Sequence, residues 1–296
     1  VGDFVDLSPI SPTHTDPAKP KFTIKIKGQD DQVDQPKPVI GIPSSDKAGT
    51  IRTFSLQWWS SDQFGINPRA IGGGAIHAVV GSLLIGVLTS VLAIPLGVLG
   101  AIYLVEYARG KSFAKVVSFM VDILTGIPSI VAALFIYAVF ITMLGNDRST
   151  IVSALALFIL MLPTVLRSTE EMLKLVPDSL REASYALGVP KWKTIMSVVI
   201  PTSRTGIFTG IVLGIARVLG ETAPLIILLN YTPHLGFNPG SNNMSSLPTM
   251  IMNAADLNET YPGAERGWGA AFTLILIVMG LNLLAKFAGR SKSSKR

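Results

Sequence analysis

The 296-residue chain is 49% hydrophobic and only 15% charged, with a mean hydropathy of +0.48, a balance that excludes an ordinary soluble globule, in which about 25% of residues are charged. A net charge of +6 suits nucleic acid only where Lys and Arg share a face with motif support; here they gather at the edges of apolar runs, so no nucleic-acid partner is expected. The absence of cysteine excludes disulfides, thiolate metal sites and a Cys nucleophile.

In chain order, residues 1–74 carry eight basic and eight acidic side chains and many prolines, with no long apolar run. They read as a polar, partly disordered segment. Crossing the hydrocarbon takes about 17–25 apolar residues, and five runs come near or within that range: 76–104, 116–144, 151–166, 206–229 and 269–288. Together they define an all-α, polytopic membrane domain over 75–289, followed by a basic tail at 290–296. Pro95 and Pro128 predict kinks inside the first two runs, either functional hinges or, the favoured reading, tolerated bends, and Pro163 blurs the end of the short third. Asp122, in the second run, is suited to accept a bond from a neighbouring helix.

Lys and Arg near span ends mark the cytoplasmic side. The loop after the first run holds Arg109, Lys111 and Lys115; the loop after the third holds Arg167, Lys174, Arg181, Lys191, Lys193 and Arg204; the tail holds Arg290, Lys292, Lys295 and Arg296. These segments are predicted inside, which puts the C-terminus in the cytoplasm and residues 1–74 outside. Exporting that segment without a signal implies a further span upstream of Val1.

Residues 168–205 form the main cytoplasmic loop. Thr169–Lys174 is a charged amphipathic turn, Pro177 breaks it, and Asp178 or Ser179 can cap a new helix. Gly188 suits the left-handed position that closes that helix, and Pro190 the first turn of the next. The expectation is an elbow of helix, sharp turn and helix, thin at Ala183, Ser184 and Ala186, with Arg181, Glu182 and Lys191 as charged anchors for a partner's groove.

The spacing Glu182-Ala183-Ser184, three residues, Gly188, nine residues, Val198, one residue, Ile200-Pro201 resembles the EAA loop of ABC importer permeases, with Ser184 in the place of the second Ala. FMVDILTGIPSIVAALFIYA at 119–138, RSTEEMLKLVPDSLREASYALGVPKWK at 167–193, GIVLGIARVLGETAPLI at 210–226 and AIYLVEY at 101–107 are similar to the permease subunits of phosphate-specific importers in that family. The resemblance spans roughly residues 57–290 and implies the type I ABC importer permease fold, with a sixth, N-terminal span beyond the five visible here. It implies a transport subunit in a bacterial cytoplasmic membrane, without an ATPase or cofactor of its own. Its implied partners are ATP-binding cassette ATPase subunits docked on Glu182, Ala183, Ser184, Gly188, Pro190 and Lys191, a sister permease subunit, an extracytoplasmic phosphate-binding protein, and inorganic phosphate as cargo.

Arg217 and Glu221 lie four residues apart in the fourth run and are expected on one helix face. A mid-bilayer charge costs at least about 2.5 kcal/mol, so the pair needs a reason. It either fixes helix packing or offers a forked cation to a passing oxyanion while Glu221 limits how tightly the anion sticks; the family resemblance favours translocation. Gly206, Gly210 and Gly214 recur on the same helix and predict a close helix approach. In the loop of residues 230–268, Leu247–Ile251 suggests a short helix at the outer mouth.

Other motifs fail. Gly110-Lys111-Ser112 lacks the P-loop's upstream glycine, since position 105 is Val105; His14, His77 and His234 are too scattered for a metal site, with His77 suited to capping or packing; no HExxH or GxSxG is present. The alternatives to phosphate import are a permease for another oxyanion such as molybdate or sulfate, because one arginine recognises charge and not identity, and an ATP-independent anion channel or sensor.

Overall fold

The computed structural model describes residues 56–64, 73–240, 244–256 and 261–290, all within one compact unit, Ser55–Arg296. Most of the polar segment 1–74 and all but the first residue of the tail 290–296 lie outside the described residues. The stretch Leu56–Phe64, assigned from sequence to the N-terminal segment, belongs to this unit: the indoles of Trp58 and Trp59 both donate to Thr273 Oγ1, at 3.1 and 3.0 Å.

Every regular element among the described residues is helical. α1 (Ile76–Ile102) passes through Pro95 without ending and widens into a π-helical turn at Tyr103–Tyr107. The second apolar run is not one bent helix. α2 (Ser112–Gly126) and α3 (Ser129–Ile136, extended as a π-helix through Met143) meet at 102°, as a broken span or a re-entrant pair. The proline ring drives its predecessor out of the helical region, so Ile127 and Pro128 are both extended, with ψ of 127° and 139°.

α4 (Thr150–Lys174) starts at the Ser149 cap, whose Oγ accepts from Val152 N at 3.3 Å. It runs eight residues beyond the predicted third span because the charged turn continues the helix: Glu170 pairs with Arg167 at 2.6 Å and with Lys174 at 2.7 Å. α5 (Asp178–Ala186) and α6 (Lys191–Thr194) follow. α6 continues through a π-helical turn at Ile195–Val199 into α7 (Ile200–Gly220), giving one helix of 30 residues from Lys191 to Gly220. The fourth run breaks after Gly220, and α8 (Ala223–Leu228) restarts with Pro224 in its first turn. α9 (Leu247–Asp256) realises the expected short helix, and α10 (Tyr261–Arg290) ends the described chain. Four of these helices are long and apolar enough to cross a membrane among the described residues, and the bent pair makes up to five.

The core lies between α1, α4 and α7. α1 and α4 run side by side in the same direction, with Gly97 facing Val165 and Gly100 facing Leu166. α7 returns antiparallel to α4: a Cβ on Gly206 would meet Met172 Sδ at 2.0 Å, and one on Gly210 would meet Ser168 Cβ at 2.6 Å, whereas Gly214 leaves 3.3 Å to Val165. The glycine stripe therefore works as predicted, by allowing close approach. Gly210→Ala should lower thermal stability of the detergent-purified protein by about 1–3 kcal/mol, the usual cost of overpacking, because Ser168 Cβ sits too near its own backbone to move; Gly214→Ala, which meets only a Val165 methyl at 3.3 Å, should cost less in the same melt.

Candidate functional site

The elbow folds as its sequence implies. Pro177, rather than Asp178 or Ser179, occupies the N-cap of α5 and lends no side-chain cap, while Asp178 begins the helix and favours its positive end. Gly188 has φ +76°, and its N–H closes the turn on Tyr185 O at 2.9 Å. Pro190 caps α6 from an extended conformation. One face of the elbow is open. Glu182, Ala183, Lys191 and Trp192 are exposed, Leu187 at the tip is 83% exposed, and Glu182 forms no ion pair among the described residues.

The other face is locked. Arg181 is buried and distributes its donors over three elements: Nη2 to Glu106 Oε1 at 2.8 Å with Nε to the same oxygen at 3.1 Å, Nη1 to Val176 O at 2.6 Å, and Nη2 to Leu173 O at 3.0 Å. Its side chain is 10% exposed and that of Glu106 4%. Around this pair, Arg109 binds Asp178 at 3.2 Å and holds its carboxyl below the ordinary aspartate range, with Arg181 adding to the effect; Lys191 Nζ lies 5.1 Å from the centre of the Tyr107 ring. Ser184 Oγ meets Thr194 Oγ1 at 2.8 Å, joining α5 to the base of the α7 rod. The residue that departs from the Glu-Ala-Ala pattern thus supplies an internal tie. Glu106 is absent from the sequence-predicted site; its signal was a single carboxylate in the apolar AIYLVEY.

Asp122 accepts from Arg167 Nη2 at 2.5 Å, and the same nitrogen reaches Ser118 O at 2.7 Å. This is the interhelical bond its position suggested. His77 packs at the start of α1, buried, with Nε2 3.4 Å from Tyr231 Oη. No cluster fit for a metal occurs among the described residues.

Arg217 and Glu221 do pair across one turn at the end of α7, as their spacing implied. Glu221 is the residue that terminates α7, with ψ 128°, and Arg217 Nε reaches its Oε1 only at 3.5 Å. The guanidinium is not deeply buried: the Arg217 side chain is 48% exposed and that of Glu221 18%. Both line a cavity of about 830 Å³ between α7 and α10, whose far wall carries Leu274, Val278, Asn282 and Lys286. A long, single-contact pair leaves most of the guanidinium's donors pointing at open space, which suits capture of an anion.

Residues 93–291 match the family described as "binding-protein-dependent transport system inner membrane component". The chain belongs to this family. The phosphate transport system permease protein PstA of Mycobacterium leprae is 51% identical over 228 residues, covering 77% of this chain and 74% of its own length. Its namesake from Yersinia pestis is 40% identical over 219 residues, covering 74% and 73%. Among solved structures, the inward-facing MetNI methionine ABC transporter superposes with a TM-score of 0.57 at 17% identity, over 74% of this chain and 94% of that one. A bacterial ABC transporter for import of the acidic polysaccharide alginate gives 0.54 at 15% identity, over 74% and 79%. At such identities the likeness is one of fold, and it is the ABC importer permease fold. The family places the chain in a membrane as a multi-pass transport component.

Removing one partner of a buried ion pair leaves the other unpaired, so Glu106→Ala should destabilise the purified protein by about 3–5 kcal/mol in a thermal melt. Asp178→Asn, at an exposed bridge, should move the midpoint far less. Gly188→Ala should cost about 1–2 kcal/mol through its left-handed backbone alone, since nothing lies within 4 Å of the added methyl.

Proposed function

We propose that this chain is the permease subunit of an ATP-driven importer of inorganic phosphate, in a bacterial cytoplasmic membrane, with the elbow and the C-terminus on the cytoplasmic side. A separate ATPase grips the exposed face of the elbow at Glu182, Ala183, Gly188 and Lys191. A sister permease completes the translocation path, and an external phosphate-binding protein delivers the cargo. The relatives named as phosphate permeases support the cargo, and the basic loops support the orientation.

One observation carries the mechanism: a single continuous helix joins the elbow to Arg217. From Thr194, tied to Ser184, the helix runs without a break to Arg217, about 35 Å away at 1.5 Å per residue. Displacement of the elbow by a closing ATPase therefore moves Arg217 relative to α10, and the groove between them widens or narrows with nucleotide state. Phosphate entering the groove gains charge-assisted hydrogen bonds from the guanidinium. Glu221, 3.5 Å away, repels the same anion and keeps its residence short. A binding protein on the opposite face and an ATPase on the elbow would then bias two states of one path.

Arg217→Gln should abolish ATP-dependent phosphate uptake in membrane vesicles while the ATPase still copurifies; loss of copurification would make the arginine a packing residue. Glu182→Lys changes a solvent-facing side chain and should leave thermal stability unchanged. It should break the ratio of phosphate imported to ATP hydrolysed, and unchanged uptake would remove the elbow from the coupling role. Nucleotide-independent uptake by the wild-type assembly would instead favour a channel.

A further inference from the structure

α1 touches the elbow at one end and the outer-mouth segment at the other. Its inner end is held by the Glu106–Arg181 pair, with Arg109–Asp178 and Lys191–Tyr107 beside it. At its outer end, Ser82 Oγ accepts the backbone N–H of Leu247, the first residue of α9, at 2.8 Å. The carbonyl oxygen of Ser245 sits 1.8 Å from where a Cβ on Gly81 would be, an approach that only glycine permits. Between Ser82 and Glu106 lie about 36 Å of uninterrupted helix at 1.5 Å per residue. α4 stiffens it: Thr89 Oγ1 donates to Ala154 O at 3.4 Å, and Gly97 and Gly100 press on Val165 and Leu166.

α9 is built to pass a displacement on. Ser246 and Thr249 cap it reciprocally, Ser246 N to Thr249 Oγ1 at 2.8 Å and Thr249 N to Ser246 Oγ at 3.3 Å, in the manner of a capping box. Its Ala254 lies against Gly267 of α10, 3.0 Å from the site of an added Cβ. α10 forms the wall of the groove opposite Arg217.

We propose that Glu106 is a positioning residue for transport: by clamping Arg181 it fastens the elbow to α1, and α1 acts as a second lever that carries elbow movement through Ser82 to α9 and the α10 wall. The elbow then moves both walls of the groove, one through α7 and the other through α1. This rests on the coupling role proposed above for the elbow. Two rigid elements joined by named contacts make a physical connection, and coupling energy between the ends is what has to be measured.

The chain contains no cysteine, so Met252→Cys, on α9 at a position 44% exposed, gives a single reporter for a membrane-impermeant maleimide. In the assembled complex reconstituted in vesicles, trapping the ATPase with nucleotide should change the labelling rate at this position by at least about fivefold, the lower end of typical allosteric coupling. Adding Glu106→Gln, which removes the carboxylate charge that clamps Arg181 while keeping the side chain's size, should erase that response while ATPase copurification and ATP hydrolysis persist. Ser82→Ala, which leaves the ion pair untouched, should erase it equally and decides the matter if the Glu106 variant does not accumulate. A nucleotide response that survives in an assembled variant of either kind overturns the lever, as does a parent protein whose labelling ignores nucleotide. A parent that fails to copurify with any ATPase overturns the functional reading itself, and the lever with it.

Discussion

The architecture at the elbow end depends on one buried guanidinium. Arg181 satisfies a carboxylate from α1, two carbonyls released at the end of α4, and the first turn of its own helix. A charge buried within a single subunit is tolerated only when its donors are all engaged, and no simpler side chain reaches three elements at once. Lysine would bring a compact ammonium in place of the planar fork. The consequence is that the elbow's open face can carry exposed apolar side chains, Leu187 and Trp192, beside the charged Glu182 and Lys191, because its other face is fixed.

This division of labour explains the chemistry of the loop sequence. Positions three apart in α5 share a face: Arg181 and Ser184 point inward, and Glu182 and Ala183 between them point outward. The inward pair determines where the elbow sits, and the outward pair is free to meet a partner. The π-helical turns flanking this region, at Tyr103–Tyr107 and Ile195–Val199, both fall where a long helix meets the elbow. Such turns add a residue without breaking the helix, and they often occur at functional sites.

Much of this was legible in the sequence, and the remainder fails for identifiable reasons. Gly188 was readable because a left-handed turn between two helical patterns demands glycine. The glycine stripe on α7 and the partner sought by Asp122 followed from local spacing and from the cost of a charge among apolar residues. The break at Glu221 was marked by Gly220 and Pro224 on either side, but the apolar run after it concealed the stop and made residues 206–229 read as one span. Pro128 was misread as a tolerated bend, since a proline inside an apolar run allows both a kink and a break. Glu106 could not be assigned at all: its partner lies 75 residues away, and no local pattern links a lone carboxylate at the end of a span to an arginine in a distant loop.

The proposed coupling requires the elbow to face the cytoplasm, where a nucleotide-driven partner can hold it. The most direct test is modification of Leu187→Cys, at the exposed tip, by an impermeant maleimide in sealed vesicles of each orientation. Reaction is expected in inside-out vesicles only, with protection when the ATPase is bound. Equal reaction in right-side-out vesicles, or reaction indifferent to the ATPase, would contradict that coupling.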